Sequence, residues 1–489
     1  MSGKTRGQAF VESLMDGRNV WLQGERVENV GLHPAFEGTL STIGRLFDML
    51  DHPDHQQKVG YIPEDGGRYA HSSFLLPRDA AQLEQRRHAF AVWAGDTYGA
   101  MSRLSDYARS RVTGWYGDRE EIGRGVPHFA GKMESYYREA RDRDLFMTTA
   151  LRDPQIDRSK GLEDEHLAEH VLHVVSENEE GLVLRGAKMI ATGAPYCHDF
   201  LVFPFHKVAE DKPGHAHAMI VPANLPGLHM VCRDSFAAGN DREQPLSARY
   251  DEMDAVLIFD DVLVPWERVL IHRDPEAVWR FRCNPTANAL AFHQTVVRLQ
   301  AKLEFVAGLA MAVAEAIGAE GFLHVQEKLG ELMVQVETIQ ALLIASEAGA
   351  SGSSAGIWTP SLRPLETARL LGTKYYPRAL EVLQLIGAGG FIQVPSTLDD
   401  LYGPIGGLIG KYYGGASVAA EEKVKLFKLA WDLLGSPFGS RHELYERFYA
   451  GDPLRAQAGF YTGADKASWT RPVKELLAGM DSPRSMNLV

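Results

Sequence analysis

Apolar residues recur at three- and four-residue spacing, with charges between them, across Leu40–Leu50, Asp79–Met101 and Ala130–Asp142. Residues 1–145 therefore read mostly as helix. The pattern then changes. Between His170 and His272 come short β-branched runs, VLHVVSE, GLVLRGAKMIATG, DFLVFPF, HAMIVP, HMVCR and AVLIFDDVLV. Turn-rich pieces such as ENEEG, AEDKPG and ANLPG divide them. Short strands so regularly spaced predict an antiparallel barrel or sandwich over residues 146–280. From about residue 285 the helical period returns. Ala291–Ile317, Leu323–Ala348, Leu362–Ile386 and Ser417–Leu434 are four long amphipathic segments, as a four-helix bundle requires. Residues 281–489 are thus read as a bundle and tail, with the Gly/Ser-rich Gly349–Trp358 joining its second and third helices. The order predicts an α+β chain of three domains.

With 489 residues, the chain can bury two or three full cores. Its net charge of −13 argues against nucleic acid or an anionic membrane as partner. Cys197, Cys232 and Cys283 lie far apart with no CxxC pair, which suits free thiols in a reducing compartment. The first residues lack the apolar core of a signal peptide, and no run of about 18 uninterrupted apolar residues occurs. A cytoplasmic enzyme is the expectation.

Glycine and histidine clusters carry less than they first suggest. GAGGFI (Gly387–Ile392) lacks the last glycine of GxGxxG and follows a helix, so it is not a dinucleotide-binding turn. It and YYGG (Tyr412–Gly415) read as helix caps and turns, or as close backbone approaches to a ligand. His166, His170 and His173 follow Glu163, Asp164 and Glu165, but a segment turning from helix to strand scatters them over different faces. No metal is expected there.

Four separated blocks say more: Asp16–Phe36 (DGRNVWLQGERVENVGLHPAF), Met101–Ser110 (MSRLSDYARS), Asp260–Ile271 (DDVLVPWERVLI) and Phe438–Arg455 (FGSRHELYERFYAGDPLR). In this order, from about Phe10 to Arg455, the chain resembles the 4-hydroxyphenylacetate 3-hydroxylase family, the oxygenase components of two-component aromatic monooxygenases. The resemblance implies an acyl-CoA dehydrogenase-like fold: an N-terminal helical domain, a central antiparallel β-barrel and a C-terminal four-helix bundle. It also implies a homotetramer, a dimer of dimers, with FAD between barrel, bundle and a neighbouring subunit. The implied reaction uses FADH2 and O2. A flavin C4a-hydroperoxide delivers oxygen to the carbon ortho to a phenol's hydroxyl. No nicotinamide site is recognisable here, so a separate NAD(P)H:flavin reductase is the implied partner.

Residue by residue, the family pattern makes Arg103 and Tyr107 the phenol-binding pair, and their four-residue spacing predicts one helical face. His293 matches a histidine that acts as the phenol-deprotonating base in related halophenol oxygenases. Gln155, Ile156, Asp157 and Arg158, together with Thr192 and with Asp452, Pro453, Leu454 and Arg455, match flavin-contacting positions. Guanidinium forks suit a pyrophosphate. Two departures concern the substrate. Thr149 stands in MTTAL where the hydroxyphenylacetate enzymes have a histidine, and Phe205–His206 replace a pair of hydroxyl residues near the substrate carboxylate. An apolar pocket that disfavours a carboxylate tail is expected, and a simple phenol, a halophenol or a hydroxylated heteroaromatic fits it as well. A protonated His206 is the alternative. Three rival readings remain. A 4-hydroxybutyryl-CoA dehydratase needs cluster cysteines, and no CxxxC occurs in the 90–110 region. An acyl-CoA dehydrogenase needs a carboxylate base over its flavin. The third rival is a flavin-binding protein without catalysis.

Overall fold

The computed structural model describes residues 3–157, 159, 165–237 and 241–480. The Pro285–Ala316 helix is its spine. Asn284 caps it, the side-chain oxygen accepting from the Ala287 amide at 2.8 Å, and Pro285 supplies a preset φ at the first position. It packs against the helices Leu362–Gly387, Ser105–Gly117, Leu323–Ala348 and Ala80–Asp96. A helix covered on so many sides is apolar nearly all round, which is why its first turns, PTANAL, carry little amphipathic period.

The bundle lies close to where its pattern put it, with adjustments. The fourth segment begins at Ala420, and a further helix, Pro437–Phe448, packs on Leu362–Gly387. Leu323–Ala348 is long and apolar enough, by length and composition alone, to cross a membrane. Here it packs against two bundle helices, while Leu323, Met333, Val334 and Ile344 remain exposed. The glycines of GAGG make room for protein rings: a Cβ on Gly387 would lie 2.1 Å from the Phe391 ring, and one on Gly390 would lie 2.7 Å from Phe427.

The strands expected of a barrel or sandwich are present, without a closed barrel among the described residues. Among the described residues the two larger sheets have six strands and four, beside two small two-stranded ones, and none closes on itself. The six-stranded sheet runs from the hairpin Asn19–Leu22 and Glu25–Val27 through Leu228–Cys232, Asp254–Pro265 and Gly181–Thr192 to His173–Glu177. The other orders Val269–Ile271, Ala218–Pro222, Asp199–Val202 and Met147–Ala150. Two pairings are parallel, Asn19–Leu22 with Leu228–Cys232 and Met147–Ala150 with Asp199–Val202. Strands arriving from the helical N-terminal segment, or straight from its last helix, dock in those directions; alternation along the central strands cannot reveal them. Val202, Met219 and Val221 of one sheet share a core with Leu184, Leu228 and Leu257 of the other, so this is a sandwich-like pair.

Near the site the chain breaks where sequence periodicity ran on. The helix begun at Ala80, capped by Asp79, stops at Asp96 rather than Met101. Tyr98 and Gly99 take φ of 52° and 64°. A Cβ on Gly99 would lie 2.8 Å from the Arg298 carbonyl, so glycine lets this turn press onto the spine helix. Arg103 therefore lies in the turn before Ser105–Gly117, not on that helix.

Candidate active site

Arg103 is anchored through its backbone. Glu252 accepts from the Ser102 and Arg103 amides at 2.7 and 2.5 Å, which fixes the turn and sends the side chain back over the helix. Its guanidinium lies 4.3 Å from the Tyr107 ring centroid and 5.5 Å from that of Tyr445. The expected pairing of Arg103 with Tyr107 thus holds, though by a fold-back and not by one helical face. Burial works against the Arg103 charge, but Tyr445 and Tyr107 outweigh it and hold it more firmly protonated. Burial would also raise the Tyr107 phenol. Arg111, Arg103 and Arg369 overcome this and pull it down to about 7. Next door, Asp106 is pushed up to about 7 by burial; it accepts from Gln294 at 3.1 Å.

A hydrogen-bonded chain joins this pair to Thr192. Arg441 donates to Asp254 at 2.7 and 2.9 Å, to Glu252 at 3.4 Å and to the Thr192 hydroxyl at 3.4 Å. Thr192 donates to Asp254 at 2.5 Å. Arg441 and Arg233 hold the Asp254 carboxyl well below its ordinary range in spite of burial. Thr192 ends its strand just after a bulge in which Ile190 adopts φ of 59° and is exposed. A β-branched residue in that region is strained, as is common where a strand re-aims a functional side chain.

The loop after Met147–Ala150 runs beside this bulge, with Arg152 bridging to Met189 and Lys188 donating to Asp153 at 2.5 Å. Gln155, Ile156 and Asp157 follow on this loop; Ile156 and Asp157 are exposed, and Arg158 lies outside the described residues. Asp452 caps the helix Pro453–Thr462 by accepting from the Leu454 amide at 3.0 Å. It acts electrostatically on Arg152, and Arg455 does so on His206. Of the segments expected to meet a flavin, Leu454 and Arg455 are exposed, whereas Thr192 is buried. Thr149 is half-buried, in parallel register with Leu201.

The structure does not place His293 with the phenol-binding pair. Its ring is fully buried, edge-on to Phe90, with Nε2 2.7 Å from Glu347. Burial lowers its pKa despite Glu347, and its Nδ1 has no partner. Phe205, expected to add an apolar wall, has two cations over its ring. Arg152 lies 3.7 Å and Arg282 5.2 Å from that ring's centroid. His206 packs edge-on to Phe205 at 4.8 Å, and burial, Arg455 and Arg152 lower its pKa. The sequence reading missed Arg111, Arg282, Arg369, Glu252, Asp254, Arg441 and Tyr445. Arg441, Tyr445 and Tyr449 stand four apart in one of the four blocks, and Arg111 stands four after Tyr107. Helical spacing alone put each set on one face.

Residues 6–271 match the family described as 4-hydroxyphenylacetate 3-hydroxylase N terminal, and residues 284–478 match the corresponding C terminal. The oxygenase component of 4-hydroxyphenylacetate 3-monooxygenase from Thermus thermophilus is 37% identical over 96% of this chain and 97% of its own. A crystal structure of such an oxygenase component, complexed with FAD and 4-hydroxyphenylacetate, superposes with a TM-score of 0.93 at 36% identity, covering 98% and 99% of the two chains. An archaeal 4-hydroxybutyryl-CoA dehydratase shares the fold alone, with a TM-score of 0.86 at 19% identity over 98% and 95% of the chains. The chain belongs to the 4-hydroxyphenylacetate 3-hydroxylase family.

Proposed function

We propose that this chain is the oxygenase component of a two-component aromatic monooxygenase, hydroxylating a phenol ortho to its hydroxyl with FADH2 and O2. A separate NAD(P)H:flavin reductase supplies the reduced flavin. The observation that carries the reading is the stacked Arg103–Tyr107 pair, tied through Glu252 and Arg441 to Thr192.

The residues fit FAD. Thr192 offers a hydroxyl beside an exposed bulge, and Arg455, whose side chain is 73% exposed and only 3.8 Å from Asp452, is available to a phosphate. Gln155, Ile156, Asp157, Thr192, Asp452, Pro453, Leu454 and Arg455 would hold it. Reduced FAD, when bound, supplies the activated oxygen. The protein's own residues prepare the ring that receives it. Arg103 takes the substrate's phenol oxygen and stabilises it as phenolate, and Tyr107, ionised above pH 7, accepts the proton. The ionised ring is more electron-rich at the ortho carbon. The walls of Tyr445 and Tyr449, largely buried, limit the entry of water.

The chain works as a cytoplasmic homotetramer, a reading supported by the exposed apolar face of Leu323–Ala348 and by three free thiols. Product analysis with a free flavin reductase, NADH, FAD and a panel of phenols tests the function. A catechol is the expected product. Oxidation of FADH2 to FAD with all the O2 consumed released as hydrogen peroxide, whatever the phenol, would exclude it.

A further inference from the structure

Most of the buried arginines in this protein are answered by carboxylates or carbonyls. Arg298 pairs with Glu446, Arg441 with Asp254, Arg6 with Asp144, and Arg86 donates to three backbone carbonyls. A group near Phe205 is different. Arg111, 2% exposed, donates to the Arg282 carbonyl at 3.2 Å, and Arg282 in turn faces Phe205. Arg369 enters from the Leu362–Gly387 helix, 3.6 Å over Phe292 and 5.7 Å from the Tyr449 ring. Among the described residues none of the three has a carboxylate partner, and the buried Nε of each lacks a hydrogen bond. Their mutual repulsion shows in Arg282, pulled down to about 10 by burial, Arg111 and Arg369, with Tyr107 opposing.

Tyr107 answers the group in part, through a hydrogen bond with Arg111 and its charge toward Arg369 and Arg282, but several guanidiniums around one phenol in a desolvated place are costly unless a further anion joins them. Planar forks with free N–H groups match a carboxylate or phosphate. The placement favours the substrate over the cofactor. Arg111 and Arg369 act on Tyr107 together with Arg103, and Arg282 faces Arg111 and Tyr107, so the group lies beside the expected phenol-binding pair. The segments expected to meet the flavin carry their own exposed cation in Arg455.

We propose that Arg111, Arg282 and Arg369 form an oxyanion subsite that takes a carboxylate on the side chain of the phenolic substrate. It replaces, by charge, the hydroxyl donors absent at Phe205–His206, and it reverses the apolar expectation for this pocket. The inference rests on the hydroxylase reading, and the test separates the two. Affinity and kcat/KM are measured for 4-hydroxyphenylacetate and for its neutral amide, 4-hydroxyphenylacetamide, alongside the dissociation constant of FAD. Wild type is expected to favour the carboxylate by about 10- to 100-fold, the range of one or two charge-assisted hydrogen bonds. Arg282→Gln and Arg369→Gln, checked for folding by thermal denaturation, are expected to erase most of that ratio, and Arg282→Lys to retain part of it. Equal affinity of wild type for acid and amide overturns the proposal. So does a loss of FAD affinity in the Gln variants with the ratio intact, which assigns the arginines to cofactor phosphates. Hydroxylation of neither compound defeats the monooxygenase reading, while the binding ratio still decides the subsite.

Discussion

Burial raises the pKa of a phenol, and three guanidiniums around Tyr107 reverse the sign, so that its proton is lost at about pH 7. If the phenolate takes the substrate's proton, kcat/KM should rise with pH through about 7. Asp106 titrates in the same range, so Tyr107→Phe separates them: the limb should vanish in that variant. A limb that survives belongs to Asp106. Arg103→Ala should cost roughly 2–4 kcal/mol in hydroxylation, the loss of a charged donor in a desolvated site, while reduced flavin is still consumed. Comparing catechol formed with NADH used checks it. Glu446 makes a different, structural prediction. Burial alone would raise its carboxyl, but Arg298 and Lys302 hold it down to about 2 from 4.5. A depressed carboxylate stabilises fully above the unfolded value and loses that contribution as pH falls toward the folded one. Thermal stability should therefore fall between about pH 4.5 and 2. Glu446→Gln, which leaves two buried cations less well paired, should cost about 3–5 kcal/mol near neutrality, read by denaturant unfolding.

Elements whose pattern repeats over many turns were legible. Three bundle helices, and the strands Gly181–Thr192 and Asp254–Pro265, lie close to where periodicity put them, because one buried face repeats along each. What the pattern could not show depends on partners distant in sequence. The spine helix starts at Pro285 because Asn284 caps it; the helix before Arg103 stops because a left-handed Gly99 fits against Arg298. Sheet closure and parallel docking are likewise tertiary outcomes. In the site, Arg103 and Tyr107 were readable as a pair, whereas Glu252, Arg441 and Arg282 acquire meaning only through contacts over a hundred residues apart. The crossing of Ser105–Gly117 on the spine is the element on which the site depends. A Cβ on Gly114 would lie 2.3 Å from the Ala287 Cα. Gly114→Ala should destabilise by about 1–3 kcal/mol in urea and, by shifting Tyr107 and Arg111 together, lower the coupling of hydroxylation to flavin oxidation.

At the scale of the whole molecule, the exposed apolar residues are not scattered. Leu323, Met333, Val334 and Ile344 lie along one bundle helix, and Trp469, Val473, Leu476 and Leu477 along the terminal helix Lys466–Met480, which buries no residue. Sedimentation equilibrium should give four times the 54.1 kDa chain mass; a monomer would leave both faces unexplained. On the proposed function the architecture serves one event, in which an activated oxygen meets a phenolate held by Arg103. Turnover under 18O2 in ordinary water tests that most directly. Mass spectrometry should find one 18O atom in each molecule of catechol formed. A catechol carrying only 16O, its new oxygen drawn from water, would contradict the account.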